Sequence, residues 1–195
     1  MQPQKYGGAN LLAFEKGLKM RKLKEYDISF AGLKQGSHQF DYHIDKHFLE
    51  LFAFDEVNDI DQIVTVLLEK KSNLMELHFS SKGTVNVNCD LSNEPFDLAV
   101  SGTLFLVVKF GEEYNDEDEE LLILPQGEHQ LNVAQYIYEL IVLSIPAKRV
   151  HPDVLSGKMH SEVLDRLEAL APKEYHPTET VDPRWESLKN LITDK

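Results

Sequence analysis

The chemistry available to this chain starts from a short inventory: one cysteine, Cys89, and eight histidines, His38, His43, His47, His78, His129, His151, His160 and His176. A lone thiol cannot close an intramolecular disulfide or supply a cysteine-rich zinc site. None of the histidines lies beside a convincing nucleophile. An H-E-x-x-H pair, a G-x-S-x-G elbow and a Gly-rich phosphate loop are all missing. A thiolate–imidazole pair assembled in space from Cys89 and one histidine is the nucleophilic arrangement that sequence distance leaves open. The simpler expectation for Cys89 is a small buried hydrophobe at a strand end. We therefore assign no catalytic residue, cofactor or metal, and read the chain as a non-enzyme.

Charge is the more informative signal. The chain carries a formal net charge of -13, and Glu112, Glu113, Asp116, Glu117, Asp118, Glu119 and Glu120 place seven carboxylates in nine residues. Such a run cannot pack, and it lacks the glycine and ligand spacing of an EF-hand. It is expected to be a solvated loop between strands, and its functional reading is a lure for a basic partner. So acidic a surface repels phosphate backbones unless cations are gathered into a patch. Two basic stretches qualify for such a patch: Lys16, Lys19, Arg21, Lys22 and Lys24 near the start, and Lys148, Arg149 and His151 further on. The first also reads as a solvated arm, the second as a linker that caps a helix dipole.

The elements that position these groups follow from periodicity. Residues 1–19 have no sustained pattern and read as an extension, with Met20 a candidate alternative start. Tyr26, Ile28 and Phe30 alternate in a first strand, and His38, Phe40, Tyr42 and Ile44 in a second. Asp45 is placed to cap a short helix whose Phe48, Leu51 and Phe52 form an apolar stripe. A meander is expected next: a strand over 63–69, a turn at 71–73, a strand over 75–80 and a turn at 81–83. Val85 and Val87 alternate with Asn86 and Asn88 up to Cys89; a polar turn follows, and a longer strand runs from Leu98 to Phe110. The two form a long hairpin. Past the acidic run, Leu121 to Leu124 resumes a strand. Asn132 and Gln135 have capping-box spacing for a nearly all-apolar helix from Val133 to Ile145, expected to be buried against the sheet. Ser161 is placed to cap an amphipathic helix with Val163, Leu164, Leu167 and Leu170 on one stripe. Asp182 and Pro183 start a last short helix bearing Trp185 and Leu188.

The stretch Cys89-Asp90-Leu91-Ser92-Asn93-Glu94-Pro95-Phe96-Asp97 resembles the central signature of the bacterial YceD-like family, the large ribosomal RNA subunit accumulation proteins. Gly111-Glu112-Glu113, Leu143-Ser144-Ile145-Pro146, Arg149-Val150-His151 and Asp182-Pro183-Arg184-Trp185 with Leu188-Lys189 occur in that family's order. Together they extend the likeness over nearly the whole chain. The chain departs from the family's frequent Cys-x-Arg-Cys pattern, with Leu91 in place of Arg and Ser92 in place of the second Cys. The resemblance implies a role in accumulation of large-subunit ribosomal RNA and ribosome biogenesis, with no catalytic residue to carry over. Cys89, Asp90, Pro95 and Phe96 are its signature positions here.

The expected architecture is α+β: an antiparallel sheet or partly open barrel packed on a buried helix, with C-terminal amphipathic helices. Residues 20–155 form the domain, 1–19 an N-terminal extension and 156–195 a helical C-terminal extension. No stretch approaches the roughly 18 apolar residues of a membrane span, so the expected setting is the cytoplasm, with neither membrane nor small-molecule substrate. Candidate partner-binding residues are the seven carboxylates of the acidic run, Lys148, Arg149 and His151, with Arg184 and Trp185 of the last helix. The expected partner is a basic ribosomal protein or RNA-processing factor. The alternative is direct contact with ribosomal RNA through the basic patch near Lys148 and Arg149.

Overall fold

The structure, a computed structural model, describes residues 23–171. The N-terminal arm, the segment around Asp182, and with it Arg184 and Trp185, lie outside the described residues. A 3-10 turn, Leu23–Tyr26, leads into β1 (Asp27–Ser29), which pairs with β8 (Gln130–Asn132) as a two-stranded ribbon. The main sheet has six strands in the order β2-β3-β4-β5-β7-β6. Their ranges are β2 Gly36–Asp45, β3 Asp59–Lys70, β4 Leu74–Asn88, β5 Pro95–Gly111, β6 Asn115–Asp118 and β7 Leu121–Pro125.

Period-2 patterning explains which face is dry. On β3, Ile60, Val64, Val66 and Leu68 are buried, and on β4 Met75, Leu77, Phe79, Val85 and Val87; the polar Gln62 and Ser81 share that dry face, and the alternate residues are more exposed. Each of the apolar side chains contributes about 1.5–3 kcal/mol by leaving water. The expected hairpin is present as β4 and β5, in register from Leu74 opposite Lys109 to Asn88 opposite Pro95.

Two local expectations are corrected. The turn expected at Ser81-Lys82-Gly83 does not exist, and β4 runs straight through it. Gly83 is there because the neighbouring strand comes too close for a side chain: a Cβ would collide with the Asp61 carbonyl and lie 2.7 Å from the Gln62 Cα. The sheet is also mixed and open rather than all antiparallel, because β7 pairs parallel with β5, from Val107 opposite Leu121 to Gly111 opposite Pro125. Residues of the acidic run make this possible. They cross over as the short edge strand β6, which pairs antiparallel with β7. The run is thus partly strand, although each of its carboxylate-bearing residues is exposed.

Helices cover the dry face. Asp45 caps α1 (Lys46–Leu51) as expected, accepting from the Phe48 N–H at 3.2 Å. The long apolar helix α2 (Ala134–Ser144) lies across β5 and β4 and buries Ala134, Ile137, Leu140 and Ile141. It is not enveloped, since Leu143 is 81% exposed. Nor is the capping box formed. The N-cap is Val133; Asn132 accepts instead from the Ala134 N–H at 3.1 Å, and Gln135 donates to Glu139. Gly102 on β5 admits α2, because a Cβ there would collide with the Ser144 hydroxyl. Aromatic pairs knit the layers: Tyr26 stacks on Tyr42 at 5.3 Å, Phe48 meets Tyr26 at 4.9 Å, and Phe52 stacks on Tyr138 at 4.4 Å. Beyond α2 come a single turn α3 (Pro152–Leu155) and α4 (Glu162–Leu170), capped by Ser161 as expected. None of the α4 residues is buried, and Val163, Leu167 and Leu170 are exposed. No helix among the described residues is long and apolar enough to cross a membrane.

Candidate functional site

Two places collect the residues singled out in the sequence. The first is a knot at the end of the β4–β5 hairpin. Its turn is closed by the Cys89 N–H donating to the Glu94 carbonyl and the Asn93 N–H donating to the Cys89 carbonyl, both at 2.9 Å. Asn93 adopts φ 59°, the left-handed conformation that asparagine tolerates better than most side chains. The segment after α2 is laced onto this turn. The Asp90 N–H donates to the Arg149 carbonyl at 2.7 Å, and the Arg149 N–H donates back to the Asp90 carboxylate at 2.6 Å. The Arg149 Nε stands 3.7 Å from the same carboxylate, and the His151 ring packs edge-on against Phe96 at 5.2 Å. Pro95 opens β5 as its first residue, opposite Asn88.

Cys89 sits inside the knot at 2% exposure, as its buried reading requires. The His151 N–H donates to its sulfur at 3.3 Å. Burial pushes the thiol up, but that N–H, the Ser92 hydroxyl, and the Ser92 and Leu91 N–H groups outweigh it and bring the thiol down to about 7. Ser92 thus turns its hydroxyl toward the sulfur. Cys89, a histidine and a carboxylate do meet here, yet the histidine contact is through its backbone. The His151 Nδ1 is occupied as the cap of α3, accepting from the Asp153 N–H at 3.0 Å. Among the described residues no three His, Cys, Asp or Glu side chains are grouped so as to hold a metal ion.

The second place is a cleft of about 640 Å³ between the β6–β7 hairpin and α2. Leu104, Leu122, Leu131 and Tyr136 give it an apolar floor and Leu143 an exposed apolar rim, while Asp116, Glu117, Asp118 and Glu119 line it from the hairpin and Glu139 from α2. The Tyr114 hydroxyl donates to Asp116 at 3.0 Å. Burial first, then the charges of Tyr114, Asp116 and Glu139, push the Tyr136 phenol up to about 12. The acidic run is therefore displayed as one wall of a shaped groove rather than as a loose loop. Its remaining members, Glu112, Glu113 and Glu120, are exposed at the hairpin's ends and do not line the cleft.

A larger groove of about 700 Å³ lies on the opposite face of the sheet, lined by Ile63, Thr65, Ser80, Lys82, Ser101 and Thr103. It holds hydroxyls and one lysine, with no carboxylate or imidazole to pair for acid–base work. Of the basic residues expected near Lys148, Arg149 lies against Asp90 in the knot and His151 packs on Phe96, both partly exposed, while Lys148 is exposed; the N-terminal basic residues up to Lys22 lie outside the described residues. Sequence reasoning missed Tyr114, Tyr136 and Glu139. The signal was available in the α2 spacing, because Tyr136, Glu139 and Leu143 recur at intervals that share a helix face.

A family model described as "Large ribosomal RNA subunit accumulation protein YceD" matches residues 77–192, more than half of the chain and inclusive of both the knot and the cleft hairpin. No curated protein and no solved structure matches the chain significantly.

Proposed function

Since the chain belongs to the YceD family of large ribosomal RNA subunit accumulation proteins, we propose that it supports accumulation of that RNA without catalysis, by gripping a basic ribosomal or RNA-processing protein in the acidic cleft. The observation that carries the reading is the pairing of a carboxylate wall with an apolar floor at one groove. Exposed carboxylates alone give steering and little affinity, because surface ion pairs contribute roughly 0–1 kcal/mol each. A floor of leucine and tyrosine supplies the desolvated area in which anchors bind. A segment that is to meet RNA phosphates carries lysine and arginine, which complement the carboxylate wall. Covering such a segment before assembly protects it from wrong contacts, and the negative field accelerates capture. The knot's part is to fix the end of the β4–β5 hairpin and the start of the C-terminal segment in one arrangement.

The test is a pull-down of purified large-subunit ribosomal proteins at about physiological salt, with wild-type chain and with Asp116→Asn, Glu117→Gln, Asp118→Asn and Glu119→Gln combined. The isosteric variant is expected to keep its melting transition and lose its partner. Undiminished recovery would reject the cleft. If the purified chain instead binds ribosomal RNA with the steep salt dependence of counterion release, the basic-patch alternative replaces it.

A further inference from the structure

We propose that the basic segment of this same chain, residues 16–22, occupies the acidic cleft when no partner is bound, so that a partner must displace it. The inference rests on reading the cleft as a site for basic polypeptides. The chain becomes described at Leu23, at the cleft's rim: the Asn132 side-chain amide, itself part of the cleft lining, donates to the Leu23 carbonyl at 2.7 Å and to Asp27 at 2.7 Å. Val133 reinforces this anchor by donating its N–H to the Tyr26 carbonyl at 3.0 Å. The arm is thus tethered beside the groove.

Length and chemistry then match. Residues 16–22 reach about 25 Å when extended, at roughly 3.5 Å per residue, ample to cross a groove of about 640 Å³. Residues 1–22 hold Lys5, Lys16, Lys19, Arg21 and Lys22 against the single acidic Glu15, and Phe14, Leu18 and Met20 are interleaved with the cations. That alternation fits a carboxylate wall above an apolar floor. A short tether gives an effective concentration on the order of 1 mM. An arm that binds with a dissociation constant of about 0.1 mM would then weaken a competing basic peptide roughly ten-fold.

The experiment uses the full chain. Carbodiimide coupling joins carboxylates to amines in contact, and peptide mapping is expected to find links within one chain from Lys16, Lys19 or Lys22 to Asp116, Glu117, Asp118 or Glu119. In parallel, a labelled synthetic peptide of residues 14–24 is titrated against wild type and against the chain with Lys16→Gln, Lys19→Gln, Arg21→Gln and Lys22→Gln. Binding about ten-fold tighter to the neutralised chain supports the proposal. Equal, measurable binding to both chains overturns the arm's occupancy and leaves the cleft reading standing. Links found only between chains assign the arm to a second copy and also overturn it. Peptide binding to neither chain removes the cleft reading along with the arm.

Discussion

Substituting Asp90 probes whether the signature turn is a latch for the segment that follows α2. Its carboxylate accepts the Arg149 N–H at 2.6 Å and stands 3.7 Å from the Arg149 Nε. A hydrogen bond to a charged acceptor contributes about 1.5–3 kcal/mol net, while the longer contact to a partly exposed guanidinium adds at most a few tenths. The reverse bond, from the Asp90 N–H to the Arg149 carbonyl, survives any side-chain change. Asp90→Ala should therefore cost about 2 kcal/mol, and Asp90→Asn, which can still accept, about 1 kcal/mol. If the loss is confined to the latch, amide exchange at Arg149 and His151 should accelerate roughly thirty-fold in Asp90→Ala, because 1.36 kcal/mol corresponds to a factor of ten. Exchange in the middle of β3 and β4 should stay unchanged. Native-state hydrogen exchange read by NMR or mass spectrometry resolves the two regions. Equal acceleration in the sheet, or none at Arg149, would refute the latch.

Four further outcomes follow from the same geometry. Gly83→Ala drives a Cβ into the Asp61 backbone carbonyl and should destabilise by about 3 kcal/mol or more, seen as a lower urea midpoint. Gly102→Ala meets the Ser144 hydroxyl and the Leu140 Cδ1, side-chain atoms that can move; it should cost about 1–3 kcal/mol and be partly restored by Ser144→Ala, whereas no side-chain change should restore Gly83→Ala. Gln62 is fully buried and neither amide atom has a hydrogen-bond partner among the described residues. Gln62→Met should therefore raise stability by about 1–2 kcal/mol, and a loss instead would mean that a buried water satisfies the amide. The Cys89 thiol is depressed to about 7 in the folded chain against about 8.5 when unfolded. The folded state then prefers the thiolate, and its contribution is complete above the unfolded value and disappears as pH falls through about 7. The stability difference between wild type and Cys89→Ala should grow from pH 7 to pH 9 in denaturant titrations, and a constant difference would contradict the sulfur's hydrogen bonds.

How far the sequence carried depended on whether the physics was local. Alternation of Val85 and Val87 with Asn86 and Asn88, then a turn-rich run, then a longer strand, is a local pattern, and the hairpin is found there. The Asp45 and Ser161 caps were legible for the same reason. Gly83 was misread because glycine marks either a turn or a close approach, and only the position of the Asp61 carbonyl, from a strand some twenty residues away, decides between them. The parallel placement of β7 was hidden likewise, since insertion between β5 and β6 is a property of the sheet rather than of Leu121–Pro125. At the acidic run the error was one of expectation. Repulsion does keep its side chains in water, but strand pairing uses backbone groups, and charge on an edge strand also guards it against joining another chain.

The knot changes what the signature residues should be asked to explain. Asp90 is bonded to Arg149, the Cys89 sulfur takes N–H groups from its own turn and from His151, Phe96 packs on the His151 ring, and that ring's Nδ1 caps α3. Groups so occupied have little left to offer a partner, so the recognition proposed above is placed where polar groups are exposed beside apolar area. The cleft meets that condition: Glu117 and Glu119 are exposed on its wall, and Leu143 is 81% exposed at its rim. The two regions then separate experimentally. Changes in the knot should act through stability and local opening, at equal cost with or without partner. Changes in the cleft should leave the melting transition in place and act on capture alone, with a salt dependence set by the number of carboxylates engaged.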